Sequence, residues 1–253
     1  MRRVLITAGA AGLGRAMAEG FVARGDRVAV CDIDAKAVAE FRTAHPQAIA
    51  ETVDVTDEAG MARFLSRVEA AFDGIDVVCA NAGTGGPAGR IETLEVDAWR
   101  ACIDVNLTGA FLTCRWAARV MRAQKSGVIV LTSSTAGLFG YPLRAPYAAA
   151  KWAIVGLTKT LAMELGPEGV RVNAICPGAV EGDRMDRVVA MESAASGLSE
   201  DAVRAQYVKG VSLRSWVTAE EVADTVLWLA SPGARKISGQ IIAIDGHTET
   251  LVT

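Results

Sequence analysis

The first fifteen residues constrain the rest of the chain most. Val4-Leu5-Ile6-Thr7 is a short apolar strand, and it runs into Ala8-Gly9-Ala10-Ala11-Gly12-Leu13-Gly14-Arg15. A helical pattern follows from Ala16 to Ala23. Strand, Gly-rich turn and helix, in that order, form the context that a phosphate-binding turn requires. The glycines let the backbone turn tightly and approach a ligand closely. The helix N-terminus offers unpaired N–H groups and a positive dipole end to a pyrophosphate.

The pattern then continues in kind. Arg27 to Asp32, Ala48 to Val53, Gly74 to Ala80, Gly127 to Thr132, Val170 to Ile175 and Ser238 to Gly246 read as six more strands. Helical patterns separate them: Ala35 to Phe41, a segment ending near Phe72, Trp99 to Arg122, Pro146 to Leu165, and a helix opened by the capping box Thr218-Ala219-Glu220-Glu221. Thr56 or Asp57 is expected to cap the helix that runs to Phe72. Alternation of this kind predicts an α/β fold with a doubly wound, mostly parallel seven-stranded sheet and helices on both faces. No repeat or low-complexity linker interrupts the chain, so residues 1–253 read as one domain. Residues 182–211 mix charge with small residues between strong core elements and are expected to form a mostly helical flap.

Composition removes several classes of function. A net charge of −3 and a pI near 5.5 argue against nucleic acid and anionic membrane surfaces as partners. No stretch approaches the roughly 18 uninterrupted apolar residues of a membrane-spanning helix. Met1-Arg2-Arg3 before an apolar run resembles a secretory signal, but Gly9, Gly12 and Gly14 interrupt it, and a strand entering a turn explains it better. The five cysteines are scattered, odd in number and without a Cys-x-x-Cys, so neither a disulfide framework nor a metal site is expected. A reducing, cytoplasmic setting fits that usage. With two histidines, His45 and His247, and no Gly-x-Ser-x-Gly, a Ser-His-Asp hydrolase would have to rely on His247.

What remains points to a dinucleotide. The second strand ends in Asp32, eighteen residues after Gly14, close to the spacing at which a carboxylate meets the adenosine ribose hydroxyls. A carboxylate repels a 2′-phosphate, and neither Ile33 nor Ala11 supplies a base to welcome one, so NAD(H) is expected over NADP(H). The competing reading makes Asp32 the N-cap of the next helix. Tyr147 and Lys151 lie four apart on a helix that starts at Pro146, and so share one face. An ammonium there favours the phenolate, which suits a tyrosine to general acid–base work. Alone, the pair reads equally as a surface tyrosine beside a solvated lysine. Ser133-Ser134 arrive at the carboxyl end of the fifth strand. Asn106 lies within an apolar helical pattern, where an amide is costly unless hydrogen-bonded; it reads as a satisfied core amide, or as a kinked turn near the site.

Taken together these residues resemble the short-chain dehydrogenases/reductases, over essentially the whole chain from Thr7 to Gly246. Thr7…Gly12-Leu13-Gly14 resembles the family's Thr-Gly-x-x-x-Gly-x-Gly turn, with Ala8 in place of the first glycine and Gly9 one position later. Asn81-Ala82-Gly83 matches the Asn-Ala-Gly motif, and Asp54 matches the acid at the adenine. Asn106, Ser134, Tyr147 and Lys151 match the catalytic tetrad, and Val172-Asn173 and Pro177-Gly178 match the segment along the nicotinamide. Where the family often carries a threonine, this chain has Gly182.

The resemblance implies a Rossmann fold, a homotetramer and NAD-dependent interconversion of a secondary alcohol and a carbonyl. It places NAD on Gly9, Gly12, Leu13, Gly14, Asp32, Ile33, Asp54, Val55, Asn81, Ala82, Gly83, Tyr147, Lys151, Pro177, Gly178 and Val180. Candidate contacts to a small-molecule substrate are Thr135, Ala136, Leu138, Tyr141, Arg144, Glu181, Arg184 and Met185. Their polar character favours a small polyol, sugar or hydroxy acid. A 3-oxoacyl thioester reductase and a non-catalytic dinucleotide sensor or scaffold are the alternatives.

Overall fold

In the computed structural model, residues 1–249 are described; the side chains at 183, 184, 191, 192, 195 and 196 lie outside that description. In chain order the main elements are β1 (Arg3–Thr7), α1 (Gly12–Ala23), β2 (Arg27–Asp32), α2 (Ala35–Ala44), β3 (Ile49–Thr52), α3 (Glu58–Phe72) and β4 (Val77–Ala80). The second half contains α4 (Val96–Ile103), α5 (Gly109–Gln124), β5 (Gly127–Thr132), α6 (Ala145–Leu165), β6 (Val170–Pro177), α7 (Asp183–Ser196), α8 (Glu200–Lys209), α9 (Ala219–Leu229) and β7 (Ile241–Ile244). The strands form one seven-stranded sheet in the order β3-β2-β1-β4-β5-β6-β7, and every pairing in it is parallel.

Side chains that alternate along a strand point to opposite faces, so a strand buried on both sides is apolar throughout. In β1, Val4 and Ile6 join Met17 and Phe21 of α1 and Val222 and Val226 of α9 in one core. Leu5 joins Phe64 and Val68 of α3, Met121 of α5 and Ile154 of α6 in the other. Each such side chain, fully buried, contributes roughly 1.5–3 kcal/mol. From β1 the sheet grows outward to β3, then returns to add β4 on the other side of β1. This reversal opens a crevice at the carboxyl ends of β1 and β4, where ligands bind in open α/β sheets.

The expected elements are present, with two differences of physical interest. The pattern from Trp99 to Arg122 is not one helix. A π-helical turn, Asp104–Thr108, separates α4 from α5, and Asn106 is in it. Asn106 Nδ2 donates to the carbonyl of Cys102 at 2.9 Å, and the Gly109 N–H reaches the carbonyl of Asp104, five residues back. A side chain inserted into the ladder in this way is a recognised origin of a π-bulge.

Secondly, neither Thr56 nor Asp57 caps α3 with its side chain. Asp57 occupies the cap position without a side-chain hydrogen bond, while Asp54 accepts from the N–H and hydroxyl of Thr56, both at 2.8 Å. The competing reading of Asp32 as a helix cap does not hold: Asp34 caps α2, accepting from Lys36 N and Ala37 N. The capping box at Thr218 and Glu221 forms in both directions. Residues 182–211 form the helical pair α7 and α8.

Candidate active site

At the end of β1 the Gly-rich turn is built by close approach. A β-carbon on Gly14 would stand 1.9 Å from the Ala8 carbonyl oxygen, and one on Gly9 would stand 2.7 Å from Val30 Cγ1. Ala8 takes the place of the family's first glycine at φ +48°, a left-handed conformation that an alanine adopts at a cost. Helix α1 then begins without a side-chain cap and without an acid in its first turn. Space is open around Gly12. An uncapped N-terminus directly after a Gly-rich turn leaves unpaired N–H groups available to an anion.

Asp32 closes β2 beside this turn. It is buried; Oδ2 accepts from Ala10 N and Oδ1 from Asp34 N, both at 3.2 Å. The carboxylate thus ties the turn to the strand end. Ile33 next to it is 69% exposed and apolar. Asp54 spends one carboxylate oxygen on Thr56, and Val55 packs where a β-carbon on Gly109 would touch it.

Asn81 is a structural bridge. Nδ2 donates to the carbonyls of Thr7 and Ala8, Oδ1 accepts from Thr132 Oγ1, and the N–H groups of Asn81 and Ala82 donate to Thr7 Oγ1. These bonds stitch together the carboxyl ends of β1, β4 and β5. Gly178 packs against Asp245, which leaves no room for a β-carbon, and its N–H donates to Ile244 O. Val180 bridges to Val217, and Glu181 N donates to Val217 O, so the chain leaving β6 is held by the segment before α9. Gly182 has φ +128°, a conformation that disfavours the threonine common in the family.

The four proposed catalytic residues come from β5, α6 and the π turn. Lys151 is buried and donates to the Thr132 carbonyl at 2.9 Å. Its Nζ lies 5.6 Å from the centroid of the Tyr147 ring. Ser133 Oγ donates to the Lys151 carbonyl at 2.8 Å, which fixes α6 against the end of β5 and places Ser134 beside it. Ser134 Oγ accepts from Ala136 N at 3.2 Å, which leaves its own proton to donate elsewhere. Asn106 is 1% exposed; Nδ2 donates to Thr84 O and Cys102 O, and Oδ1 is buried with no hydrogen-bond partner among the described residues.

Around this centre the candidate substrate contacts divide. Tyr141 stands edge-on to Tyr147 with ring centroids 6.5 Å apart. Arg144 is half-buried and directs Nη1 at the carbonyls of Gly85 and Gly86, 3.3 and 3.4 Å away, so it clips the loop over the site. Thr135 and Ala136 are buried in the 3₁₀ turn behind Ser134, Leu138 and Met185 are partly exposed, and Glu181 is exposed. Arg184 lies outside the described residues. Sequence reasoning missed the Thr132 carbonyl, which anchors Lys151; a backbone acceptor carries no residue-type signal. It also missed the steric role of Gly83, described below.

The thiols are poorly suited to act as nucleophiles here. All five cysteines are free and buried, and burial pushes Cys31, Cys79 and Cys114 up to about 12. Burial also raises Cys102, although a hydrogen bond from Asn106 and the charges of Lys151 and Arg144 pull the other way. His247 lies 2.7 Å from Ser212, but the Ser212 hydroxyl sits between His247 Nδ1 and Glu249. A triad needs the carboxylate behind the imidazole, so this arrangement is not one. Among the described residues no cluster could hold a metal, and no helix is long and apolar enough to cross a membrane.

The chain matches the family model described as enoyl-(acyl carrier protein) reductase over residues 8–247. It is 35% identical to a 2-(R)-hydroxypropyl-CoM dehydrogenase of Xanthobacter autotrophicus, across 97% of this chain and 98% of that one. It is 36% identical to a cis-4-hydroxycyclohexanecarboxylate dehydrogenase of Sinomonas cyclohexanicum, across 97% and 95%. The solved structure of NAD⁺-bound xylitol dehydrogenase superposes with a TM-score of 0.89 at 28% identity, covering 96% of this chain and 97% of that one.

Proposed function

The chain belongs to the short-chain dehydrogenase/reductase family, and from that premise we propose that it interconverts a small secondary alcohol and its carbonyl with Tyr147 as general acid/base. It is an oxidoreductase acting on CH–OH groups with NAD as acceptor. The observation that carries the mechanism is the convergence of Lys151 on both Tyr147 and Asn106 at the crevice.

The residues present fit NAD. The uncapped N-terminus of α1 and the open space at Gly12 suit a pyrophosphate, and buried Asp32 beside apolar Ile33 suits ribose hydroxyls and an adenine face. Gly9, Leu13, Gly14, Asp54, Val55, Asn81, Ala82, Gly83, Pro177, Gly178 and Val180 complete the cradle, with Tyr147 and Lys151 at its reactive end. When bound, NAD supplies the ring carbon that accepts or returns hydride. Tyr147 takes the hydroxyl proton in oxidation and returns it in reduction. Ser134 donates a hydrogen bond to the substrate oxygen and stabilises charge there as it develops. The Lys151 ammonium stabilises negative charge on Tyr147. Asn106 Oδ1 offers an acceptor to a water that passes the proton on to solvent.

Small polyols, sugars and hydroxy acids are the substrate class. One similar dehydrogenase is named for a hydroxycyclohexanecarboxylate, which favours the hydroxy acids. A second reading, reduction of a 3-oxoacyl thioester, is favoured by the description of the matching family model; Asp32 opposes the NADPH that such reactions commonly use. Phe111, Trp152 and Met163 expose 46%, 50% and 80% of their surface on α5 and α6, which supports a homotetramer built through those helices. Five reduced, buried cysteines fit a cytoplasmic location.

The test is NAD⁺ reduction across polyols, sugars, hydroxy acids and 3-hydroxyacyl compounds, with NADP⁺ in parallel. Turnover of one class with NAD⁺, lost in Tyr147→Phe while NADH binding persists, supports the mechanism. Preference for NADP⁺ would overturn the assignment of Asp32. Tight NADH binding without turnover of any compound would favour the sensor.

A further inference from the structure

Four arginines from four separate parts of the chain line one cavity of about 490 Å³ at the amino ends of the strands. Arg2 precedes β1, Arg24 follows α1, Arg171 lies at the start of β6 and Arg235 follows α9. Ser231 completes the rim. The proposed active site is at the opposite, carboxyl ends of the same strands, so this cavity is separate from it.

Part of this clustering has a local explanation. Arg2 Nη1 donates to Ala230 O at 3.1 Å, Arg24 Nη1 to Leu227 O at 3.4 Å, and Arg171 Nη2 to Leu229 O at 2.6 Å. These carbonyls end α9, and cations are favoured at a helix C-terminus. That accounts for three arginines and leaves two facts over. Arg235 makes no such contact. Among the described residues the one carboxylate paired with the cluster is Asp26, held by Arg2 at 2.7 Å. Arg24, Arg171 and Arg235 have no carboxylate within ion-pair distance among the described residues. Arg171 is partly buried, and burial without an acid partner lowers its pKa from the ordinary arginine value. A chain of net charge −3 therefore gathers four arginines at one cavity, of which, among the described residues, Arg2 alone is paired with a carboxylate.

A guanidinium carries five N–H donors in a planar fork that matches phosphate oxygens in pairs. Arg24 commits one Nη to a carbonyl; Arg171 commits two, to Leu229 and Ile237. The cavity falls within the size range of small-molecule sites. We infer that Arg24, Arg171 and Arg235 form a binding site for a small phosphate-bearing anion, distinct from the Gly-rich turn. Arg2, neutralised by Asp26, shapes the wall and positions the end of α9.

Pyrophosphate is the probe, and calorimetric titration of enzyme already saturated with NADH is the measurement. Saturation keeps pyrophosphate away from the turn at Gly12 and shows independently that the cofactor site is intact. The expected result is saturable binding near one equivalent, weakened at least tenfold in the double variant Arg24→Ala/Arg235→Ala. Both residues are exposed, so the variant should fold and keep its turnover with NAD⁺. Arg171→Gln serves as a second variant with the same expectation for binding. Absence of saturable binding to the NADH-saturated enzyme would overturn the proposal, and so would unchanged affinity in the double variant. A shift in Tm provides a check: bound anion raises it in the native enzyme by about 3 °C at ten times Kd, and not in the variant.

Discussion

Asn106 and Lys151 meet at the α-carbon of Gly83: a β-carbon placed there would stand 2.8 Å from Asn106 Oδ1 and 3.1 Å from Lys151 Nζ. Glycine is thus required by the proposed proton path, since any side chain would push apart the two groups that define it. Gly83→Ala should leave the sheet intact, because the clashing atoms are side-chain ends that can yield. They would yield by moving the amide and the ammonium away from the reacting position. Displacements near 1 Å at such groups cost about 10²-fold in rate. We therefore expect kcat to fall by about that factor, with a circular-dichroism spectrum and NADH affinity close to native. Native kcat in this variant would remove Asn106 and Lys151 from the mechanism as drawn.

Under the proposed function, the buried carboxylate of Asp32 has two jobs. It accepts from Ala10 N and so holds the Gly-rich turn, and in the proposed cofactor site its charge would repel a 2′-phosphate. Replacing it removes both, while adding a cation at Ile33, already exposed, supplies a partner for the phosphate. Asp32→Ala/Ile33→Arg is expected to raise the ratio of kcat/KM for NADP⁺ over NAD⁺ by about 10²-fold. It should also lower stability by roughly 1–3 kcal/mol through the unpaired Ala10 N–H. Steady-state kinetics with both cofactors decide it: an unchanged ratio would mean that the discrimination resides elsewhere.

The sheet, its seven strands and the place of the candidate site at their carboxyl ends were legible because each rests on a local pattern. Fully apolar runs such as Val4–Ile6 can be buried on two faces, and a Gly-rich turn between strand and helix has few other uses. Tyr147 and Lys151 were legible as a pair because four residues make one helical turn. At Asn106 a kinked turn was legible only as one of several readings, since the π turn depends on an amide reaching the Cys102 carbonyl and on the loop at Thr84, which is remote in sequence. The engagement of Arg144 with Gly85 and Gly86 was hidden for the same reason: residue type alone does not separate a substrate grip from a loop clip. The arginine cavity is assembled from positions 2, 24, 171 and 235, and only the fold brings them together.

At the other end of β1, Arg3 and Asp76 set an acid limit on stability. Burial pushes the Asp76 carboxyl up, but hydrogen bonds from the Arg3 side chain and backbone N–H, together with its charge, hold it below its ordinary value. A carboxylate with a depressed folded-state pKa contributes stability that is fully present above its unfolded value. That contribution is lost as pH falls through the folded value. It should therefore be complete above about pH 5 and decline below about pH 4. Asp76→Asn is expected to lower Tm at pH 7 and to flatten its decline between pH 5 and pH 3. Parallel Tm-against-pH curves for native protein and variant would expose an error in this pairing.

Ala8 offers the converse case, a place where the chain departs from its family and bears a cost. Its φ of +48° lies in the left-handed region, where an L side chain costs about 1–2 kcal/mol. The turn needs that conformation because the Ala8 carbonyl must fit against Gly14, with 1.9 Å to the site of an absent β-carbon. Ala8→Gly relieves the strain, and the greater freedom of glycine in the unfolded chain offsets part of the gain. A net stabilisation of about 0.5–1 kcal/mol is expected, read as a higher urea midpoint at constant m-value. Affinity for NADH should hold or rise slightly, since the altered residue keeps the same backbone path. Gly14→Ala tests the other side of the contact: the Ala8 carbonyl is backbone and cannot step aside, so NADH binding should be lost. If Ala8→Gly destabilised the protein, or Gly14→Ala bound NADH normally, the geometry assigned to this turn would be wrong.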